Sequence, residues 1–164
     1  MNTKHSLIRF GFATLLAAVT LTGCGQSGPP VARDDLPVKK LEITGNDKMK
    51  FNVTKLEAQA RQRIELTLKN VGSMPKQSMG HNWCLLTLGT DPKAFAEAGL
   101  AAASTDYITP DRMNEVIAHT KILGPGESET ITFTAPAKPG SYPYICTFPG
   151  HVAAGMKGVL EISE

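Results

Sequence analysis

The chain has 164 residues, 41% of them hydrophobic, with 17 Lys and Arg against 15 Asp and Glu. A formal charge of +2 lacks the basic excess that a nucleic-acid binder needs. Lys4 and Arg9 precede Cys24 and no acidic residue does, so from Cys24 onward the charges balance at 15 of each.

In chain order, Lys4 and Arg9 give a positive start, and Phe10 to Leu21 is an apolar run broken only by small or hydroxylated residues. The run is too short for a secure membrane span and fits an export signal. It ends in Leu21-Thr22-Gly23-Cys24. That pattern resembles the bacterial lipobox, in which cleavage falls before the cysteine and the thiol receives a diacylglycerol. The expectation is a signal over residues 1–23 and a lipid on Cys24, each buried methylene contributing roughly 0.8 kcal/mol to membrane binding. The protein would then be exported and lipid-anchored in the cell envelope, facing the periplasm or the outer membrane. Residues 24–40 contain Gly, Ser, Pro and Asp34-Asp35 and little apolar content, and read as a flexible tether.

From Leu41 the pattern changes to period two. Met49, Phe51 and Val53 alternate with polar neighbours, as do Ile64, Leu66 and Leu68, then Ile131 and Phe133. Val159 to Ile162 is a further short apolar strand, and Asn70-Val71-Gly72 and Gly124-Pro125-Gly126 read as turns. Asp91 to Thr105 is different: Ala-rich, with Phe95 and Leu100 at helical spacing, Thr90 as a cap and Pro92 in the first turn. Residues 106–114 follow as a loop with a short helical turn after Pro110. Residues 41–164 therefore read as one mostly β domain with a helical insertion, a length that suits a single core.

The densest chemistry lies in Cys146-Thr147-Phe148-Pro149-Gly150-His151-Val152-Ala153-Ala154-Gly155-Met156. A strand from Tyr142 delivers Cys146, Pro149-Gly150 turns the chain back, and Met156 opens the next strand. Three donors on one short loop meet without a large closure cost, and His81 is the fourth, from elsewhere. Two imidazoles, a thiolate and a weak axial thioether form the donor set of a blue-copper electron-transfer site. Zinc would take a stronger fourth ligand. His119, in an apolar strand, is expected to be structural. Cys84 alternates to the face opposite Trp83 and is expected to be a buried inert thiol. A Cys84–Cys146 disulfide is the rival use of Cys146, since export implies an oxidising compartment.

Four segments carry a family resemblance: Met79-Gly80-His81-Asn82-Trp83, Val116-Ile117-Ala118-His119-Thr120-Lys121, Cys146 to His151, and Met156-Lys157-Gly158. The chain resembles the cupredoxins, the azurin and auracyanin group above all, over roughly Leu41 to Glu164. The resemblance implies an all-β Greek-key sandwich of about eight strands with one copper cycling between Cu(I) and Cu(II). It makes His81, Cys146 and His151 the strong ligands, Met156 the axial one, and the Gly80 carbonyl a candidate on the opposite side. Asn82 would hydrogen-bond across to Thr147 and hold the ligand loops together. The edge of His151 would reach the surface within an uncharged patch of Met79, Pro149, Val152, Ala153 and Ala154, where redox proteins dock transiently. The chain departs from azurins in a longer His151-to-Met156 spacing, in lacking the amino-terminal disulfide, and in carrying Asn70 where azurins have another histidine. The expected function is single-electron shuttling, not enzymatic turnover. A copper-binding or delivery protein without electron transfer is the alternative.

Overall fold

Strands form where the period-two pattern runs, because alternate side chains of a strand face opposite sides of its sheet. The computed structural model describes residues 30–164; the expected signal and the lipid site at Cys24 lie outside them. The strands are β1 (Lys39–Asn46), β2 (Lys50–Phe51), β3 (Lys55–Gln59), β4 (Arg63–Asn70), β5 (Cys84–Leu86), β6 (Val116–His119), β7 (Ser128–Thr134), β8 (Gly140–Ile145) and β9 (Lys157–Ser163). They build two sheets, ordered β2-β1-β4-β7 and β3-β9-β8-β5-β6. The architecture is the expected Greek-key sandwich, with nine strands because the two-residue β2 is counted.

Register defines two poles. β1 runs parallel to β4 from Lys39 opposite Ile64 to Gly45 opposite Asn70. β8 runs antiparallel to β9 from Gly140 opposite Ile162 to Ile145 opposite Lys157. The carboxyl ends of β1, β4 and β8 therefore share one pole with the start of β9. The opposite pole holds the entry to β1: Arg33 N donates to Arg61 O (2.8 Å), and Gln62 Nε2 donates to Pro37 O (2.9 Å).

Between the sheets lie Ile43, Ile64, Leu66, Leu68, Trp83, Leu85 and Tyr144, all fully buried. Alternation sends Cys84, Leu86 and Ile145 through the far face of the second sheet. There they meet Phe95, Ile108 and Val152 in a smaller cluster. Phe95 comes from α2 (Pro92–Ala98), so this helix covers that face and β5 is buried on both sides. Asp91, not Thr90, caps α2: its Oδ1 accepts from Ala94 N (2.7 Å). The carboxylate reaches the first free amides of the helix, as N-caps do. The helix ends before Leu100, which is exposed. A 3₁₀ turn over Pro110–Glu115 fulfils the expectation for that loop.

Candidate metal centre

His81, Cys146, His151 and Met156 all reach the pole where β1, β4 and β8 end. His81 follows α1 (Lys76–Met79) and is clamped by a two-way bridge to Leu123: His81 N to Leu123 O (3.1 Å) and Leu123 N to His81 O (2.7 Å). Cys146 follows the last residue of β8. The loop after it is closed on itself, with Cys146 N donating to Met156 O (3.1 Å), Met156 N to His151 O (2.8 Å) and His151 N to Phe148 O (3.1 Å). Gly150 and Gly155, at φ 83° and 92°, make the turns that fold it.

The donor atoms converge. His81 Nδ1 and His151 Nδ1 are 3.3 Å apart, and Cys146 Sγ is 3.3 Å from His151 Nδ1. One ligand atom from each of the three residues lies within 4.8 Å of the others. A metal at about 2.0–2.3 Å from each donor fits such a triangle. Exposure is 1% for His151 and 0% for His81, Cys146 and Met156. Met156 lies beside this group: its Cε comes so close to Gly45 that a Cβ there would stand 2.8 Å from it, and 3.1 Å from the His81 ring. Gly45 thus leaves the space that the Met156 tip and the His81 ring pack into, a role nothing in its sequence neighbourhood signals.

Electrostatics prepares the donors for a cation. Burial, and then the neighbouring His81, pushes His151 down to about 4. Burial lowers His81 as well. Asp47 and the Asn46 carbonyl oppose that shift, the carbonyl without a full hydrogen bond to Nε2. Both rings are therefore neutral near pH 7, as metal ligation requires. Burial pushes the Cys146 thiol up to about 12, while the backbone N–H groups of Asn82 and Phe148 favour the thiolate. The thiol therefore keeps its proton until a bound cation displaces it.

The surrounding bonds hold this shape. Asn82 Nδ2 donates to Thr147 Oγ1 (2.8 Å) and Thr147 N donates to Asn82 Oδ1 (2.8 Å), the cross-loop pair expected from the resemblance. Asp47 accepts from Ser73 N (2.8 Å) and Ser73 Oγ (2.9 Å), closing the neighbouring loop. Buried Asn70 donates to Leu123 O (3.0 Å) and accepts from Gly72 N (2.9 Å). Asp47, Asn70 and Gly45 were not singled out as site residues from the sequence.

Other candidates fall elsewhere. His119 is half-buried on β6, opposite Cys84, and stays apart from the donor triangle. Cys84 and Cys146 are both free thiols, buried in clusters on opposite faces of the second sheet, so they do not form the rival disulfide. Burial also pushes the Cys84 thiol far up, which makes it inert. Val152 does not join a surface patch; it is 7% exposed and packs inward with Phe95, because the loop turns its side chain under α2. Nor does His151 present an open edge at 1% exposure, since Phe148 stacks on its ring at 4.8 Å.

Comparison with known proteins agrees with this geometry. Residues 38–163 match the model of the family described as copper binding proteins, plastocyanin/azurin family. Azurin of Pseudomonas aeruginosa is 38% identical over 151 residues, covering 90% of this chain and 97% of that protein. Outer membrane protein H.8 of Neisseria gonorrhoeae is 41% identical over 114 residues, 68% of this chain and 61% of that one. Reduced auracyanin of Roseiflexus castenholzii superposes with a TM-score of 0.69 at 38% identity, covering 77% of this chain and 98% of that one.

Proposed function

This chain belongs to the plastocyanin/azurin family of copper-binding proteins, and we propose that it is a membrane-tethered carrier of single electrons in the cell envelope. The observation that carries the reading is the closed, buried convergence of His81, Cys146 and His151 beside Met156. Copper bound there supplies one-electron chemistry, alternating between Cu(I) and Cu(II).

The protein's own residues do the rest. His81 and His151 stay neutral and present ring nitrogens. Cys146 gives up its proton on metal binding, so loading releases acid. Met156 would offer a soft thioether, and the Gly80 carbonyl, adjacent to His81 in the chain, is a further candidate donor. The bonds from Asn82 to Thr147 and from Leu123 to His81 hold the donors nearly still, which keeps reorganisation small when charge changes. Four almost fully buried donors leave no open position for a substrate, which favours a carrier over an enzyme. The same closure favours retention of copper over its delivery.

Partners dock at the pole of His151. Ala153 and Gly150 are exposed there, and Met79, Pro149 and Ala154 are half-buried. A small uncharged surface of this kind suits brief redox encounters. The tether runs from a lipid on Cys24 and meets the domain at the opposite pole, where Arg33 and Pro37 are bonded. The six peptide links from Cys24 to Pro30 span at most roughly 22 Å. That leash keeps the far pole near the bilayer and aims the metal pole away from it, raising the local concentration of partners at the membrane. The similarity to outer membrane protein H.8 favours an outer-membrane address.

The test is a Cys24→Ser protein loaded with Cu(II) and examined by visible absorption and electron paramagnetic resonance, with Cys146→Ser as control. An intense thiolate-to-copper band and narrow hyperfine splitting, both lost in Cys146→Ser, are expected; a pale spectrum indifferent to Cys146→Ser overturns the reading. Membrane fractionation of the unaltered and Cys24→Ser chains tests the anchor, and equal release of both into the soluble fraction overturns it.

A further inference from the structure

We infer that the corner formed by Asp106 and Tyr107 is a positioning element of the metal centre, holding the Cys146–His151 loop and the His81 segment in mutual register. The inference rests on the metal reading above. Asp106 and Tyr107 are consecutive non-glycine residues at φ 53° and 59°. Left-handed backbone of this kind persists where surrounding contacts over-determine it.

Three contacts do so. Asp106 Oδ1 accepts from Ile122 N (3.0 Å). Tyr107 N donates to Ala102 O (2.9 Å). Gly99, just past α2, admits the Tyr107 carbonyl so closely that a Cβ at Gly99 would stand 2.0 Å from its oxygen. The φ of Gly99 is −83°, so the glycine is required for space and not for conformation.

The corner faces both ligand segments. Its Asp106 carbonyl accepts from Thr147 Oγ1 at 2.5 Å. A hydroxyl has one proton to give. Thr147 Oγ1 already accepts from Asn82 Nδ2 (2.8 Å), and Asn82 Oδ1 lies farther off at 3.1 Å while accepting Thr147 N. The proton therefore goes to Asp106. The Tyr107 ring meets Phe148 edge-on at 5.3 Å and 68°, and Phe148 in turn lies against His151 at 4.8 Å. Thr147 and Phe148, which follow Cys146 directly, each have a partner on the corner. On the other side, Ile122 precedes Leu123, whose backbone clamps His81. One strained corner thus ties the bridged segment of His81 to the loop of Cys146 and His151.

The test compares the copper-loaded unaltered protein with Tyr107→Ala, Tyr107→Phe and Gly99→Ala. Copper hyperfine splitting, the position of the visible band and the rate of copper loss to a chelator are measured. Amide exchange of Thr147 and His151 is followed in the metal-free proteins. Tyr107→Ala should shift the hyperfine splitting, speed copper loss by about tenfold, as loss of an outer contact does, and accelerate exchange at both amides. Gly99→Ala should move the same readouts in the same direction from a residue remote from the donors, while Tyr107→Phe, which keeps the ring contact, restores the unaltered values. If Tyr107→Ala and Gly99→Ala match the unaltered protein in spectrum, copper loss and exchange, the inference is wrong. If the unaltered protein itself shows no blue band, the metal reading fails instead, and the metal-free exchange rates still decide whether the corner holds the loop.

Discussion

Strand β4 and the 146–156 loop each bury part of their side chains, and these are held by different forces. In β4, Ile64, Leu66 and Leu68 are 0% exposed and need nothing but apolar neighbours. β1 and β7 flank it along its whole length. In the loop the buried groups are a thiol, a hydroxyl and an imidazole, each costly to bury without a partner. Asn82 and Asp106, far away in the chain, partner the Thr147 hydroxyl, while the His151 ring faces His81 and Cys146. The strand supplies stability through area, and the loop achieves a fixed geometry through satisfied polar groups. Damage to the first should lower stability and leave the site's signature intact; damage to the second should change the signature at smaller cost.

The largest effect on that contrast should come from Leu66→Ala, which opens a cavity among the innermost core residues. A loss of about 2–5 kcal/mol in unfolding free energy is expected, measured by denaturant titration, with the copper spectrum of the folded fraction unchanged. A shifted spectrum would mean that the core and the site are not separable.

Lowering the pH should act on the metal pole, through His151 and His81. His151 sits near 4 in the folded protein against about 6.5 in the unfolded chain. Between those values the unfolded chain binds more protons, so stability rises with pH. The metal-free domain should keep its full stability above pH 6.5 and lose on the order of 2–3 kcal/mol as the pH falls towards 4. Copper, by occupying the imidazole, should flatten that dependence. A flat profile in the metal-free protein would show that the ring is solvated after all.

Asn82→Ala should cost less stability, about 1–3 kcal/mol, because Thr147 N is left without its acceptor. Its effect on the site should exceed its effect on the fold: copper affinity should drop by roughly 10–100-fold, read by competition with a chelator. Equal loss from Asn82→Asp, which keeps an acceptor for Thr147 N but not the Nδ2 donor, would argue that the bond to Thr147 Oγ1 is the one that matters.

How legible each region was follows from the same contrast. Alternation marked Ile64, Leu66 and Leu68 as one buried face because a strand writes its surroundings into every second residue. It marked the ends less well: β2 shrank to Lys50–Phe51, and the cap of α2 moved to Asp91. Leu100, at helical spacing from Phe95, lies beyond the helix and in water. Val152 reads as a surface residue beside His151, yet the turn of the loop sends it beneath α2.

Donor chemistry needed no fold to be read. Cys146, His151 and Met156 stand within one segment, and thiolate, imidazole and thioether together already select a metal. Ligand identity is a property of side-chain atoms, so the sequence alone determined it, along with the strand periodicity that builds the sandwich. Only the tertiary structure decided that Gly45 leaves space for Met156 and His81, that Asp106 gives Thr147 a carbonyl, and that Tyr107 braces Phe148. Those roles belong to backbone oxygens, excluded volume and ring faces brought together from distant segments, and no residue type announces them before the chain has closed around the site.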